Sequence, residues 1–172
     1  MSGKKNNKVG VFGLGLLPPS ARKPSLIVAA CRKALQSEKA SLTGELNVIF
    51  FDRQKMRELN KRYLNHSHDT DVIAFNYDAD APGSPFGDVY VSAYQAKIQA
   101  KELGHPLLRE ILTLVIHGTL HLLGHDDSTP RKKAVMFAKQ DEIIRKVGNT
   151  VSRAAVGPKT LADDIPSQIG VT

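Results

Sequence analysis

Ile111-Leu-Thr-Leu-Val-Ile-His117-Gly-Thr-Leu-His121-Leu-Leu-Gly-His125-Asp-Asp127 is the stretch on which the reading of this 172-residue chain turns. Between Ile111 and Leu123 the only polar side chains are Thr113, His117, Thr119 and His121, so a helix here has almost no solvated face and belongs at the centre of the molecule. His117 and His121 stand four residues apart, which puts both imidazoles on one helix face about one turn from each other. At that separation two ring nitrogens can reach one ion, and an apolar helix offers them no other partner, so the pair points to a buried divalent metal. Gly124 ends the helix and lets the backbone turn back, so that Asp127 can supply a third ligand, with His125 as the alternative. Three protein ligands leave a position open for water or substrate, which marks a catalytic site. Peptidases of the His-Glu-x-x-His type carry their general base directly after the first histidine, where this chain has Gly118.

Working outward, short β-like runs alternate with longer helical ones. A strand is expected near Val9–Leu14, and a helix within Pro24–Ser37, where Leu26, Ile27, Ala30, Cys31 and Leu35 share a face. Gly44–Phe51 reads as a strand, Asp52 as the N-cap of a helix carrying Met56, Leu59, Tyr63 and Leu64, and Thr70–Phe75 and Gly87–Ser92 as two further strands. The acidic, Pro- and Gly-bearing loop between those two strands, Asp78–Phe86, predicts an antiparallel pair. Ala93–Leu103 is a helix stopped by Gly104, Pro106 restarts the chain, and Thr129 begins a last basic amphipathic helix expected to end near Val147. The sum is an α+β domain: a small mixed sheet of about four strands with helices packed on it, and the metal site on the central buried helix and the turn after it. Residues 1–8 read as a basic N-terminal tail, 9–147 as one domain, and 148–172 as a flexible C-terminal tail.

Composition narrows the class. With 41% apolar and 24% charged residues the chain is an ordinary globular one, and no run approaches the roughly 20 apolar residues that cross a bilayer. No secretory signal is read, and a single cysteine, Cys31, excludes an intrachain disulfide framework and suits a cytoplasmic protein without a disulfide-linked partner. Cys31 reads as a core residue. A net charge of +7 favours polyanionic partners through counterion release.

The string His117-Gly-Thr-Leu-His-Leu-Leu-Gly-His-Asp-Asp127 resembles the signature of the YbeY family, His-Gly-x-Leu-His-Leu-x-Gly-x-Asp-His. Leu59-Asn60 through Thr70-Asp-Val-Ile-Ala-Phe75 is similar to the family's Leu-Asn and Thr-Asp-Val-Leu-Ser-Phe segments, and Gly87-Asp-Val-Tyr-Val-Ser92 to its Gly-Asp-Ile-x-Ile-Ser strand. The resemblance implies a zinc-dependent, single-strand-specific endoribonuclease with one zinc per chain. Its implied role is late small-subunit ribosomal RNA maturation and ribosome quality control, with ribosomal RNA and the small ribosomal subunit as partners.

The family's two ligand histidines carry over to His117 and His121. Its third ligand, usually histidine, is Asp127 here, a hard oxygen donor that zinc also accepts. The family arginine that follows the tyrosine of the second block is missing, because Tyr63 is followed by Leu64. Arg62 or Arg53 could reach the same space, and His66 and His68 could touch phosphate or aid proton transfer, so Arg62 and His66 are the catalytic candidates besides the metal ligands. Asp71 or Asp88 could hold a ligand histidine, or serve as a cap or turn residue. Arg131, Lys132, Lys133, Lys139, Arg145 and Lys146 could track an RNA backbone. The alternatives are a ribosome-associated RNA-binding factor with a structural metal and no activity of its own, and a metallopeptidase, against which Gly118 counts.

Overall fold

Side-chain alternation builds the sheet. In β2 (Glu45–Phe51) Leu46, Val48 and Phe50 are buried and their neighbours half-buried, the period-two pattern of a strand covered more deeply on one face. In the computed structural model, which describes residues 8–40, 44–77 and 85–154, β1 (Lys8–Phe12) runs parallel to β2, and β4 (Pro85–Ser92) lies parallel on its other side. β3 (Val72–Asn76) pairs antiparallel with β4, as the loop between them predicts, and the order is β1-β2-β4-β3. α1 (Pro24–Ser37) supplies the crossover that parallel β1 and β2 require. This is the mixed four-stranded α+β architecture expected from the sequence.

Several boundaries move, and β3 spans Val72–Asn76 where Thr70–Phe75 was expected. β1 stops at Phe12 because Gly13 turns the chain at φ +80°, and a Cβ there would lie 2.3 Å from the Phe50 carbonyl oxygen. β4 starts at Pro85, so the expected loop is shorter by its last two residues, and 78–84 lie outside the described residues. The tails named above fall largely outside them as well, at 1–7 and 155–172, while Lys8 belongs to β1.

α2 (Arg53–Leu64) is capped as read, the Asp52 carboxylate accepting from the Lys55 N–H at 2.9 Å. α3 (Ala93–Leu103) is capped by Ser92 and closed by Gly104 at φ +67°. α4 (Leu107–Leu122) is the central helix, its start fixed by buried Glu110, which accepts a 2.6 Å hydrogen bond from His105 Nε2. α5 (Pro130–Ala154) runs past the expected end near Val147. One glycine at Gly148 costs a helix about 1 kcal/mol, too little to stop one whose buried stripe of Met136, Ile143 and Val147 is anchored on the core.

α4 packs on β3 and β4 and is enclosed by α1, α3 and α5, whereas α2 covers the opposite face, where Tyr63 meets Phe75 edge-on at 5.3 Å. Cys31 is fully buried against Thr119, as expected for a core residue, and burial pushes its thiol up to about 12. The approach of α4 to the sheet depends on Gly118, where a Cβ would stand 2.5 Å from Val89 Cγ1 and 3.0 Å from Val72 Cγ2.

Gly118→Ala is therefore expected to destabilise the protein by about 1–2 kcal/mol, overpacking outweighing the better helix propensity of alanine. A melting temperature lower by about 2–8 °C in a thermal scan is the expected result, and a more stable variant would show that the helix has room to move off the sheet.

Candidate metal centre

α4 projects His117 and His121 on one side, their rings edge to face at 4.5 Å between centroids and their Nε2 atoms 2.9 Å apart. The turn after the helix brings in Asp127. Gly124 adopts φ +94°, its N–H bonds the His121 carbonyl at 3.1 Å, and the His125 N–H bonds the Leu120 carbonyl at 3.1 Å, closing the helix end and reversing the chain. Asp127 Oδ2 then lies 3.5 Å from His117 Nε2 and Oδ1 lies 3.9 Å from His121 Nε2. One ligand atom from each of the three residues falls within 4.8 Å of the other two. Side-chain exposure rises from 15% at His117 to 28% at His121 and 41% at Asp127, so the group is open to a substrate from the Asp127 side.

Hydrogen bonds on the far nitrogens set the chemistry. His121 Nδ1 donates to the His125 carbonyl at 2.9 Å, and His117 Nδ1 donates to the side-chain oxygen of Gln140 on α5, which is buried. Each imidazole thus carries its proton on Nδ1 and turns an Nε2 lone pair toward the other and toward the Asp127 carboxylate. Three acceptors converge with no donor between them, the donor set of a divalent cation, and the outer hydrogen bonds hold both rings in the ligating tautomer. Burial first, and then neighbouring His117, hold the His121 pKa below its ordinary 6.5, so a proton is a poor substitute for a metal there.

The adjacent residues are committed elsewhere. Ser128 and Lys132 engage the Asp126 carboxylate and hold its pKa well below the usual range. His125, the alternative third ligand, is not one of the three converging residues: its Nε2 donates to Glu38 at the end of α1 at 2.9 Å, and Glu38 also pairs with Lys139. Through its carbonyl His125 orients His121 instead.

The remaining sequence candidates have other partners. Arg62 sits over the Tyr63 ring at 5.6 Å and exposed His66 packs on His68 at 5.1 Å. Arg53 is bound to Asp69 at 2.8 Å. Asp71 accepts from the Val72 N–H and from Gln99, and Asp88 from Asn47, Tyr77 and Tyr90, so neither supports a ligand histidine. That part falls to Gln140, which the sequence reading missed. Its one signal was a polar residue within the apolar stripe Met136, Ile143 and Val147.

Replacing Gln140 by Leu removes the acceptor on His117 Nδ1 and is expected to weaken metal binding about 10–100-fold in a competition titration against a chromophoric chelator. In the metal-free protein the lowered His121 pKa means that the unfolded chain binds this proton more tightly than the folded one. Stability is therefore full above pH 6.5 and falls as the pH drops from 6.5 through the lower folded value. Denaturant titrations of metal-free protein on either side of that pH should show the loss, and His121→Ala should diminish it.

Residues 19–148 match the family model described as Endoribonuclease YbeY. A relative of that name from Elusimicrobium minutum is 41% identical over 142 residues, covering 81% of this chain and 99% of the relative. Another from Acholeplasma laidlawii is 42% identical over 121 residues, 70% of this chain and 84% of its own. The solution structure of a protein from Thermotoga maritima shares the fold at a TM-score of 0.58, with 23% identity, over 93% of this chain and 99% of that one. The three motif blocks lie within the matched span, and the two relatives are covered over 84% and 99% of their lengths, so this chain belongs to the YbeY endoribonuclease family.

Proposed function

We propose that this protein is a zinc-dependent endoribonuclease specific for single-stranded RNA, holding one zinc per chain on His117, His121 and Asp127. It acts in late small-subunit ribosomal RNA maturation and in ribosome quality control in the cytoplasm, with ribosomal RNA and the small ribosomal subunit as its partners. The convergence of two Nε2 lone pairs and a carboxylate on one point, open on one side, is the observation that carries this reading. Family membership supports RNA as the substrate, and the net charge of +7 suits it. The lone buried cysteine suits a reducing compartment, and among the described residues no helix is long and apolar enough to cross a membrane.

The protein's own groups have separable tasks. His117, His121 and Asp127 bind, while Gln140 and the His125 carbonyl keep both imidazoles aimed and unprotonated at Nε2. When bound, zinc supplies Lewis acidity toward a phosphodiester and acidifies water. Glu38, held by Lys139, fixes the His125 side chain and so the turn that delivers Asp127. Arg62, in the last turn of α2, and His66, in the loop after it, enter only as phosphate contacts. A metallopeptidase reading has no support at Gly118, which lies in the contact with Val89 and brings no carboxylate at the position after His117.

The second reading, an RNA-binding factor with a structural metal, draws on Leu64 standing at the position of the family arginine. Alanine at both His117 and His121 is expected to remove the zinc and to lower cleavage of single-stranded ribosomal RNA ends by at least about a thousandfold, the scale of losing Lewis-acid stabilisation. Elemental analysis alongside a gel assay of rigorously purified protein separates the readings. Zinc-loaded wild type that binds RNA without turning it over would establish the structural-metal factor.

A further inference from the structure

Resting on that reading, we propose that Phe137 on α5 is the platform on which an unpaired base next to the bound phosphate stacks, with Lys133 beside it to meet the phosphate backbone. Phe137 is 43% exposed, although α5 has a well-formed buried stripe in which a phenylalanine would normally be placed. It lies beside the metal group: its ring is 6.5 Å from that of the ligand His117, tilted by 34°, and Gln140, one turn further along α5, holds His117 Nδ1. Lys133, one turn before it, places its ammonium 5.5 Å from the Phe137 centroid.

Two neighbouring lysines are engaged. Lys132 pairs with Asp126 and Lys139 with Glu38, while Lys133 has the Phe137 ring as its partner and no carboxylate among the described residues. An aromatic face and an ammonium group side by side form the repeating unit by which proteins hold single-stranded nucleic acid, the ring taking a base and the cation a phosphate. Because Phe137 packs directly beside the His117 ring, a base stacked on it would belong to a nucleotide at or next to the phosphate held by the group. A base in a duplex is stacked on its neighbours and unavailable to Phe137, so this contact would give the centre its preference for single strands without reading sequence.

The test compares wild type, Phe137→Ala, Phe137→Trp and, as a control on the same helix, Val135→Ala, all loaded with zinc, on a labelled single-stranded RNA and on the same RNA with one abasic nucleotide at each position near the cut. Phe137→Ala is expected to raise KM about tenfold with the loss on KM rather than kcat, while zinc content and melting temperature stay at wild-type values. Phe137→Trp should restore KM, and its indole fluorescence should be quenched by single-stranded but not base-paired RNA even without zinc. An abasic nucleotide at one position should cost wild type the same factor and cost Phe137→Ala nothing. If wild type cleaves and Phe137→Ala matches it in KM and in sensitivity to every abasic site, the stacking role is overturned alone. If wild-type protein neither binds nor cleaves RNA, the endoribonuclease reading falls and this inference with it.

Discussion

The contact of α4 with β3 and β4 at Gly118 is the constraint on which the rest of the molecule depends. With no side chain there, the helix settles against Val89 and Val72 and fills the space between the sheet and the helices α1, α3 and α5. Interiors are packed densely enough that a helix so enclosed has little freedom to rotate. Its orientation is thereby fixed: one side is committed to the sheet, another places Thr119 against Cys31 of α1, and the remaining side carries His117 and His121 toward α5 and the mouth of the site. The missing carboxylate after the first histidine and the tight helix–sheet packing are two consequences of the same glycine.

Around His117, His121 and Asp127, the adjacent polar groups are held by defined partners. Asp126 is taken up by Ser128 and Lys132, His125 by Glu38, and Glu38 by Lys139. These pairings draw the ends of α1, α4 and α5 together, so the turn holding Asp127 is anchored on two other helices. A metal site needs this, because affinity depends on ligands held near their binding geometry before the ion arrives. The Nδ1 protons on Gln140 and on the His125 carbonyl complete the arrangement by leaving only lone pairs at the centre.

Asp127 gives this group a carboxylate beside its two imidazoles. A carboxylate brings a negative charge and a harder donor than imidazole, and shifts the balance among divalent ions toward oxygen-preferring ones without excluding zinc. Its 41% exposure places that charge at the mouth, where an incoming phosphodiester meets it.

The amino-acid sequence by itself determined the element types, the antiparallel β3–β4 pair, the central helix and the pairing of His117 with His121, and named Asp127 or His125 as the third member of the group. Each depends on local rules of periodicity, capping and spacing that act over a few residues. Boundaries at Gly13, Pro85 and Gly148 were less legible, because they depend on what lies across the core: the Phe50 carbonyl at Gly13, and the packing of Val147 that carries α5 past Gly148. Only the tertiary structure decided which groups support the ligands. Gln140 and Glu38 are far from α4 in sequence, and Asp71 and Asp88, plausible supports by type, are drawn off by Gln99, Asn47, Tyr77 and Tyr90. Hydrogen-bond partnership between distant segments is set by how helices pack, and spacing along one segment carries no record of it.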